Sequence, residues 1–146
     1  MRLVIQRSKQ SSVSVDNKVV GKIDKGLVIL VGFTKTDDES IIDKMVNKVI
    51  NLRIFDDENG IMNKSLIDIK GSVLSVSQFT LYADTKKGRR PNYIEALKGE
   101  QAIILYEKWN ELLKKFVDVE SGIFGAMMEV SIINDGPVTI ILESGD

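Results

Sequence analysis

Ser77-Gln78-Phe79-Thr80 closes an apolar run, Val73-Leu74-Ser75-Val76, with two hydroxyls, a carboxamide and an aromatic ring. If these residues continue the strand, Ser77 and Phe79 face one way and Gln78 and Thr80 the other. An apolar wall and hydrogen-bonding groups then occupy opposite faces. The sequence contains no histidine and no cysteine. That removes the Ser-His and Cys-His pairs that activate nucleophiles, and with them the usual zinc sites. Thr80 therefore has no conventional base to take its proton. Its hydroxyl, with backbone amides at the strand end, can still hold a carbonyl or a developing oxyanion. The plainer reading of the same residues is a strand end of ordinary surface polarity.

A second segment, Asn134-Asp135-Gly136-Pro137-Val138-Thr139, sets one of only two prolines directly after a glycine, between two β-branched runs. A trans turn is the default, because only ~5–6% of X-Pro bonds in folded proteins are cis. In either isomer Gly136 offers a backbone without a side chain, able to approach a ligand closely. Such a site discriminates by sterics and carbonyl position. That suits a substrate whose side chain varies but whose chirality does not.

Lys86-Lys87-Gly88-Arg89-Arg90 carries four positive charges in five residues, just beyond the first segment. It reads either as a solvated loop or as a phosphate contact. Arg7, after an apolar strand, reads as a snorkelling surface residue, and Trp109 as core. Asp56-Asp57-Glu58 lacks EF-hand spacing and reads as a turn, so no metal site is expected.

The elements that must position these residues are short. Leu3–Ile5, Val13–Val15 and Val19–Ile23 read as strands, and Leu27–Phe33 as a central strand buried on both faces. Thr36 and Asp37 are candidate N-caps for a helix with apolar positions Ile41, Ile42, Met45, Val46, Val49 and Ile50. Val73–Phe79 reads as a further strand, 84–92 as an exposed loop, and Glu100–Phe116 as a second helix. Two last strands, Met127–Ile133 and Val138–Leu142, flank a Gly-Pro turn. The predicted class is α+β: largely antiparallel or mixed sheet layers, or a barrel-like sheet, with two main helices.

At 146 residues the chain reads as a single domain spanning 1–146. Its net charge of -1 gives no bulk attraction to nucleic acid, so any RNA contact must use a local patch. The N-terminus lacks a signal peptide's apolar region, and no apolar stretch approaches the ~20 residues that span a bilayer. A cytoplasmic location without membrane contact is expected.

Across essentially its whole length the chain resembles the D-aminoacyl-tRNA deacylases. The resemblance rests on the two segments above together with Gln6-Arg7, Asn51-Leu52-Arg53-Ile54-Phe55, Lys87-Gly88-Arg89-Arg90-Pro91 and Gly122-Ile123-Phe124-Gly125-Ala126. Ser8 and Ser11 depart from it, standing where the family more often has Val and Ala. The resemblance implies a homodimer that hydrolyses the ester between a D-amino acid and the 3′-terminal adenosine of tRNA. It implies no cofactor and no DNA partner. It also implies a cis Gly-Pro bond reaching across the dimer into the partner's pocket, where backbone carbonyls exclude L-amino acids while glycine slips through.

Carried onto this chain, Ser77, Gln78, Phe79 and Thr80 build the catalytic pocket and Gly136 and Pro137 form the chiral gate. Arg7 holds that gate, Ala102, Phe124 and Met128 line the adenosine and aminoacyl sites, and Lys86, Lys87, Arg89 and Arg90 meet the tRNA backbone. The family is thought to lean on the substrate's own 2′-hydroxyl, which agrees with a chain lacking histidine and cysteine. Two other classes stay open: a non-catalytic tRNA-binding module using Phe79 as a stacking platform, and a structural or small-ligand dimer.

Overall fold

The computed structural model describes residues 1–146. Ten strands, two helices and one 3-10 turn follow in this order: β1 (Arg2–Ser8), β2 (Ser11–Val15), β3 (Lys18–Ile23), β4 (Gly26–Gly32), α1 (Glu39–Asn51), β5 (Phe55–Asp56), β6 (Met62–Lys64), β7 (Ser72–Ser77), the 3-10 turn (Phe79–Tyr82), α2 (Gly99–Lys114), β8 (Val119–Ser121), β9 (Glu129–Ser131) and β10 (Asn134–Glu143).

The main sheet has the order β10-β1-β4-β7-β8. Its β10-β1 and β1-β4 pairs are antiparallel, whereas β4-β7 and β7-β8 are parallel. The sheet is thus mixed, and no sheet closes into a barrel. A second sheet, β3-β2-β9, is antiparallel, and β5-β6 forms a small hairpin around Asp57–Gly60.

The continuous apolar run of β4 follows from its position between two layers. Leu27, Ile29 and Val31 pack into the large core with Met45, Val46 and Val49 of α1 and Trp109 and Leu113 of α2. Val28, on the other face, joins Leu74 and Val76 of β7 against Val13 and Ile23 of the small sheet. Strands covered on both faces carry apolar residues without alternation.

Helix α1 is capped by Asp38, whose Oδ1 accepts the Ile41 amide at 3.0 Å. The cap therefore lies one or two residues beyond the expected Thr36 and Asp37. Asp37 instead accepts the Thr34 amide at 2.7 Å. Helix α2 buries Ala102, Tyr106, Trp109 and Leu113. It ends at Lys114, which leaves Phe116 half exposed rather than on its buried stripe.

Three further boundaries move. The strand expected over Val73–Phe79 stops at Ser77, and Phe79–Tyr82 turns into the 3-10 helix. The strand expected over Met127–Ile133 narrows to Glu129–Ser131. The Gly136-Pro137 segment lies inside β10, with a shift in the β1-β10 register between Gln6 and Ser8 absorbing it.

Candidate active site

The expected pocket residues converge on one cavity of about 420 Å³ at the C-terminal ends of β4 and β7. Ser77, Gln78, Phe79, Thr80, Ala102, Phe124 and Met128 all line it, with Leu30, Val31 and Phe33 from β4 and its exit. The parallel β4-β7 pair sets Ser77 opposite Val31, and the Gln78 amide extends the ladder to the Val31 carbonyl at 2.7 Å. Gly32 then lets the chain turn tightly. A Cβ there would stand 3.0 Å from the Gln78 carbonyl oxygen and 3.1 Å from Leu81 Cβ. The 3-10 turn thus seats against the end of β4.

The turn changes which groups face one another. In an extended strand Gln78 and Thr80 would share a face; here the Gln78 side-chain amide donates directly to the Thr80 hydroxyl oxygen. That leaves the Thr80 hydroxyl proton free to donate elsewhere. The amides of Phe79 and Thr80 open the turn, so they have no carbonyl partner within it, and no side chain caps it. The Thr80 hydroxyl and the backbone of Phe79 and Thr80, whose amides have no partner, belong to the lining of a mainly apolar cavity. Backbone donors of this kind are preorganised for a developing oxyanion.

No ionisable side chain lines the cavity. Beneath it, Tyr106 donates to the Ser75 carbonyl at 2.7 Å and Trp109 Nε1 to Ser75 Oγ at 3.2 Å. Burial pushes the Tyr106 phenol above its ordinary value, so it stays protonated. These bonds fix α2 to β7 and set Tyr106 against Phe124, ring centroids 5.8 Å apart. Sequence reasoning missed this support. Trp109 is core as expected, but its indole nitrogen also holds Ser75. Ser75, a lone polar residue in an apolar run, was the available signal.

The second segment lies elsewhere. Gly136-Pro137 is cis, not the default trans, and both residues are exposed. Gly136 has φ 113°, in the region that favours glycine, and a Cβ there would stand 2.9 Å from an Arg7 nitrogen. Arg7 is buried at 8% exposure, so it does not snorkel. Its Nε donates to the Asp135 carbonyl at 3.3 Å and its Nη1 to the Ile54 carbonyl at 2.9 Å. The carboxylates of Asp56 and Asp135 stand 3.4 and 3.3 Å from the same guanidinium. Asn134 adds bonds to the Arg7 and Val138 carbonyls, at 3.1 and 3.0 Å.

Within one chain the two segments do not meet. Arg7 pairs with Leu27 at one end of β4, whereas Ser77 pairs with Val31 at the other. Four residues along the strand and three strand spacings across the sheet separate β10's Gly136 from the cavity by about 20 Å.

Lys86, Lys87, Arg89 and Arg90 are all exposed and form no ion pair. Their loop is closed at its base by reciprocal Asp84 and Asn92 backbone bonds of 2.7 and 2.9 Å. It leaves the fold directly after the 3-10 turn. A larger open depression, about 720 Å³, lies at the opposite end of β4 and β7. There Lys22, Lys25, Lys70 and Lys114 alternate with Asp24, Asp118 and Glu120, and no carboxamide faces it.

Comparison with known proteins gives this geometry a lineage. The family model described as D-Tyr-tRNA(Tyr) deacylase matches residues 4–143. A D-aminoacyl-tRNA deacylase of Bacillus velezensis is 57% identical over 145 residues, covering 99% of both chains. One of Bacillus cytotoxicus is 56% identical over the same span and coverage. Among solved structures, one titled c-Myc DNA Unwinding Element Binding Protein superposes with TM-score 0.95 at 40% identity over both whole chains. A probable eukaryotic D-amino acid tRNA deacylase superposes with TM-score 0.84 at 18% identity, covering 97% of each chain, a likeness of fold. These relatives set the chain among hydrolases of aminoacyl esters. It belongs to the D-aminoacyl-tRNA deacylase family.

Proposed function

We propose that this D-aminoacyl-tRNA deacylase completes each active site from two chains. In each site, the cavity of one chain receives the 3′-aminoacyl adenosine and the Gly136-Pro137 segment of a second copy closes over it. The observation that carries this reading is the separation of the two segments. About 20 Å of sheet lies between Gly136 and the cavity in one chain, whereas the family resemblance puts both in one site. A homodimer resolves this, and the exposed β10 edge, with Ile141 at 64% exposure, offers an apolar contact for it.

In the complex the ester carbonyl lies at the Phe79 and Thr80 amides, which stabilise the oxyanion of the tetrahedral intermediate. The Thr80 hydroxyl, its oxygen engaged by Gln78, donates to the substrate and orients it. Ser77 lies at the β7 end of the same cavity. The cavity offers no side-chain base, so the substrate's 2′-hydroxyl relays a proton from the attacking water to the leaving 3′-oxygen. Ala102, Phe124 and Met128 form the apolar walls around the adenosine and aminoacyl groups.

Chirality is read by the partner's gate. The Gly136 backbone, held by Arg7, occupies the space an L-side chain would need, and a D-side chain points away from it. Glycine has no side chain to exclude, so mischarged glycyl-tRNA is also cleaved. Lys86, Lys87, Arg89 and Arg90 hold the acceptor-arm phosphates. No DNA contact and no cofactor is needed for this reaction, and a cytoplasmic setting is where tRNA would be met. The chain contains no helix long and apolar enough to cross a membrane.

The test is release of amino acid from D-Tyr-tRNA and L-Tyr-tRNA by the purified protein, with and without a strong chelator. Release from the D-form alone, indifferent to chelator, is expected. Binding of both forms without release would instead make this a tRNA-binding module.

A further inference from the structure

Lys98 is a cation at the cavity mouth that neither of the two segments contains. Its Nζ lies 4.7 Å from the ring centroid of Phe79, a wall of the cavity, and 5.3 Å from that of Tyr93. The two rings meet edge to face, centroids 5.3 Å apart, so the ammonium is seated on a paired aromatic platform. An exposed ammonium over aromatic faces is held without being neutralised. Lys98 forms no ion pair with any carboxylate. Arg2, the other cation stacked near the 3-10 turn, is paired to Glu143 at 2.6 Å and donates to the Leu81 carbonyl. Its charge is spent within the fold; that of Lys98 is free.

The position is as informative as the charge. Leu97, the neighbouring residue, lines the cavity, and its amide bonds the Phe33 carbonyl at 2.9 Å, fixing the backbone there. Tyr93 directly follows Asn92, where the basic loop closes on Asp84. Lys98 therefore stands between the uncharged cavity and the four loop cations. With the ester at Thr80, a 5′-phosphate leaving the cavity past Phe79 would meet Lys98, whose ammonium lies over that ring. The cavity itself offers that anion no charged partner.

Resting on the deacylase reading, we propose that Lys98 binds the 5′-phosphodiester of the substrate's 3′-terminal nucleotide. It begins the cationic track that Lys86, Lys87, Arg89 and Arg90 continue. Phe79 and Tyr93 hold its ammonium in register, so one ring serves as both cavity wall and mount for the phosphate contact.

Two small substrates isolate this contact from the rest of the tRNA: 3′-O-D-tyrosyl adenosine, and the same compound carrying a 5′-phosphate. The intact enzyme should cleave the phosphorylated form with the higher kcat/KM, by about three- to fivefold, the range of an exposed ion pair. Lys98→Gln should erase that advantage through KM while leaving the unphosphorylated ester unaffected. Lys98→Arg should keep most of it. If Lys98→Gln slows both substrates equally, Lys98 only orders Phe79 and the proposal is wrong. If it slows neither, Lys98 is a bystander and the proposal is equally wrong. Failure of the unmodified protein to cleave either ester, or D-Tyr-tRNA, would instead overturn the deacylase reading on which this contact rests.

Discussion

If the cavity lined by Ser77–Thr80 performs the proposed hydrolysis, it must work through dipoles and geometry, because no ionisable side chain lines it. Thr80 is the clearest case. It accepts from Gln78 and has no base within the cavity. On the proposed mechanism its hydroxyl orients or polarises and is not the attacking group. Thr80→Ala should lower kcat by about tenfold to a hundredfold, the loss of one hydrogen bond worth ~1–3 kcal/mol. Total loss of turnover, with fold and tRNA binding intact, would return the nucleophile to Thr80. Single-turnover release from D-Tyr-tRNA separates the two outcomes.

Arg7 poses the opposite problem, a buried charge whose work is structural. Its guanidinium serves Ile54, Asp56 and Asp135 together. Arg7→Ala should cost about 1–3 kcal/mol of stability by stranding those acceptors. It should also weaken discrimination between D- and L-Tyr-tRNA, because the gate loses its anchor. Arg7→Lys keeps the charge but not the planar fork, and should recover only part of both. Denaturant unfolding and paired hydrolysis assays read the two effects independently. Reading Arg7 as a snorkelling residue failed because its burial depends on β10 and the Ile54–Asp56 segment, distant in sequence.

At the scale of elements, the 3-10 turn shows where periodicity misleads. Apolar alternation through Val76 extends naturally to Phe79. Gly32 admits the turn at Gln78, and that contact is made by a residue more than forty positions earlier. The cap of α1 moved because Asp37 is engaged elsewhere, 2.5 Å from the Met1 amine as well as at Thr34. Asp38 therefore takes the helix. The two-sided burial of β4 and the stripe of α1 were legible because each follows from hydrophobic pattern alone. The parallel pairing of β7 and β8 was not, since neither strand's sequence encodes its partner's direction.

Tyr82, at the end of the same turn, gives a pH signature. Burial first, then nearby Asp37, pushes its phenol up to about 12 despite Arg2 stacked 4.8 Å from the ring. A folded value above the unfolded ~10 means the neutral phenol is favoured in the fold. Its contribution to stability is complete below pH 10 and lost as pH rises from 10 to 12. Tyr82→Phe should flatten the fall in unfolding free energy across that window, leaving whatever part Tyr106 contributes.

The basic loop is an element without secondary structure, and its charges are free. Replacing Lys86, Lys87, Arg89 and Arg90 with Gln should weaken tRNA binding. It should also reduce the slope of log K against log salt by ~0.7–0.9 for each phosphate no longer neutralised. An unchanged slope would leave the loop merely solvated.

For the whole molecule, the sequence carried the residues of the site further than their arrangement. All seven expected cavity residues meet in one place. Residue chemistry alone singled out Ser77–Thr80; Ala102, Phe124 and Met128 came through family resemblance. Nothing in either segment revealed that one chain holds them about 20 Å apart, a consequence of strand order.

That separation makes the two-chain site directly testable by mixing variants. Thr80→Ala disables the pocket; Gly136→Ala, where φ 113° and Arg7 leave no room for a side chain, displaces the segment so that it no longer closes over the ester and D-Tyr-tRNA hydrolysis fails. If pocket and gate come from different chains, a mixed dimer contains one doubly altered site and one intact site. Dissociating the two variants and reassociating them at equal amounts should then restore D-Tyr-tRNA hydrolysis to about a quarter of the unmodified rate, well above either variant alone. If pocket and gate belong to one chain, every mixed site carries one substitution. Activity would then stay at the average of the two variants, and the shared site would be refuted.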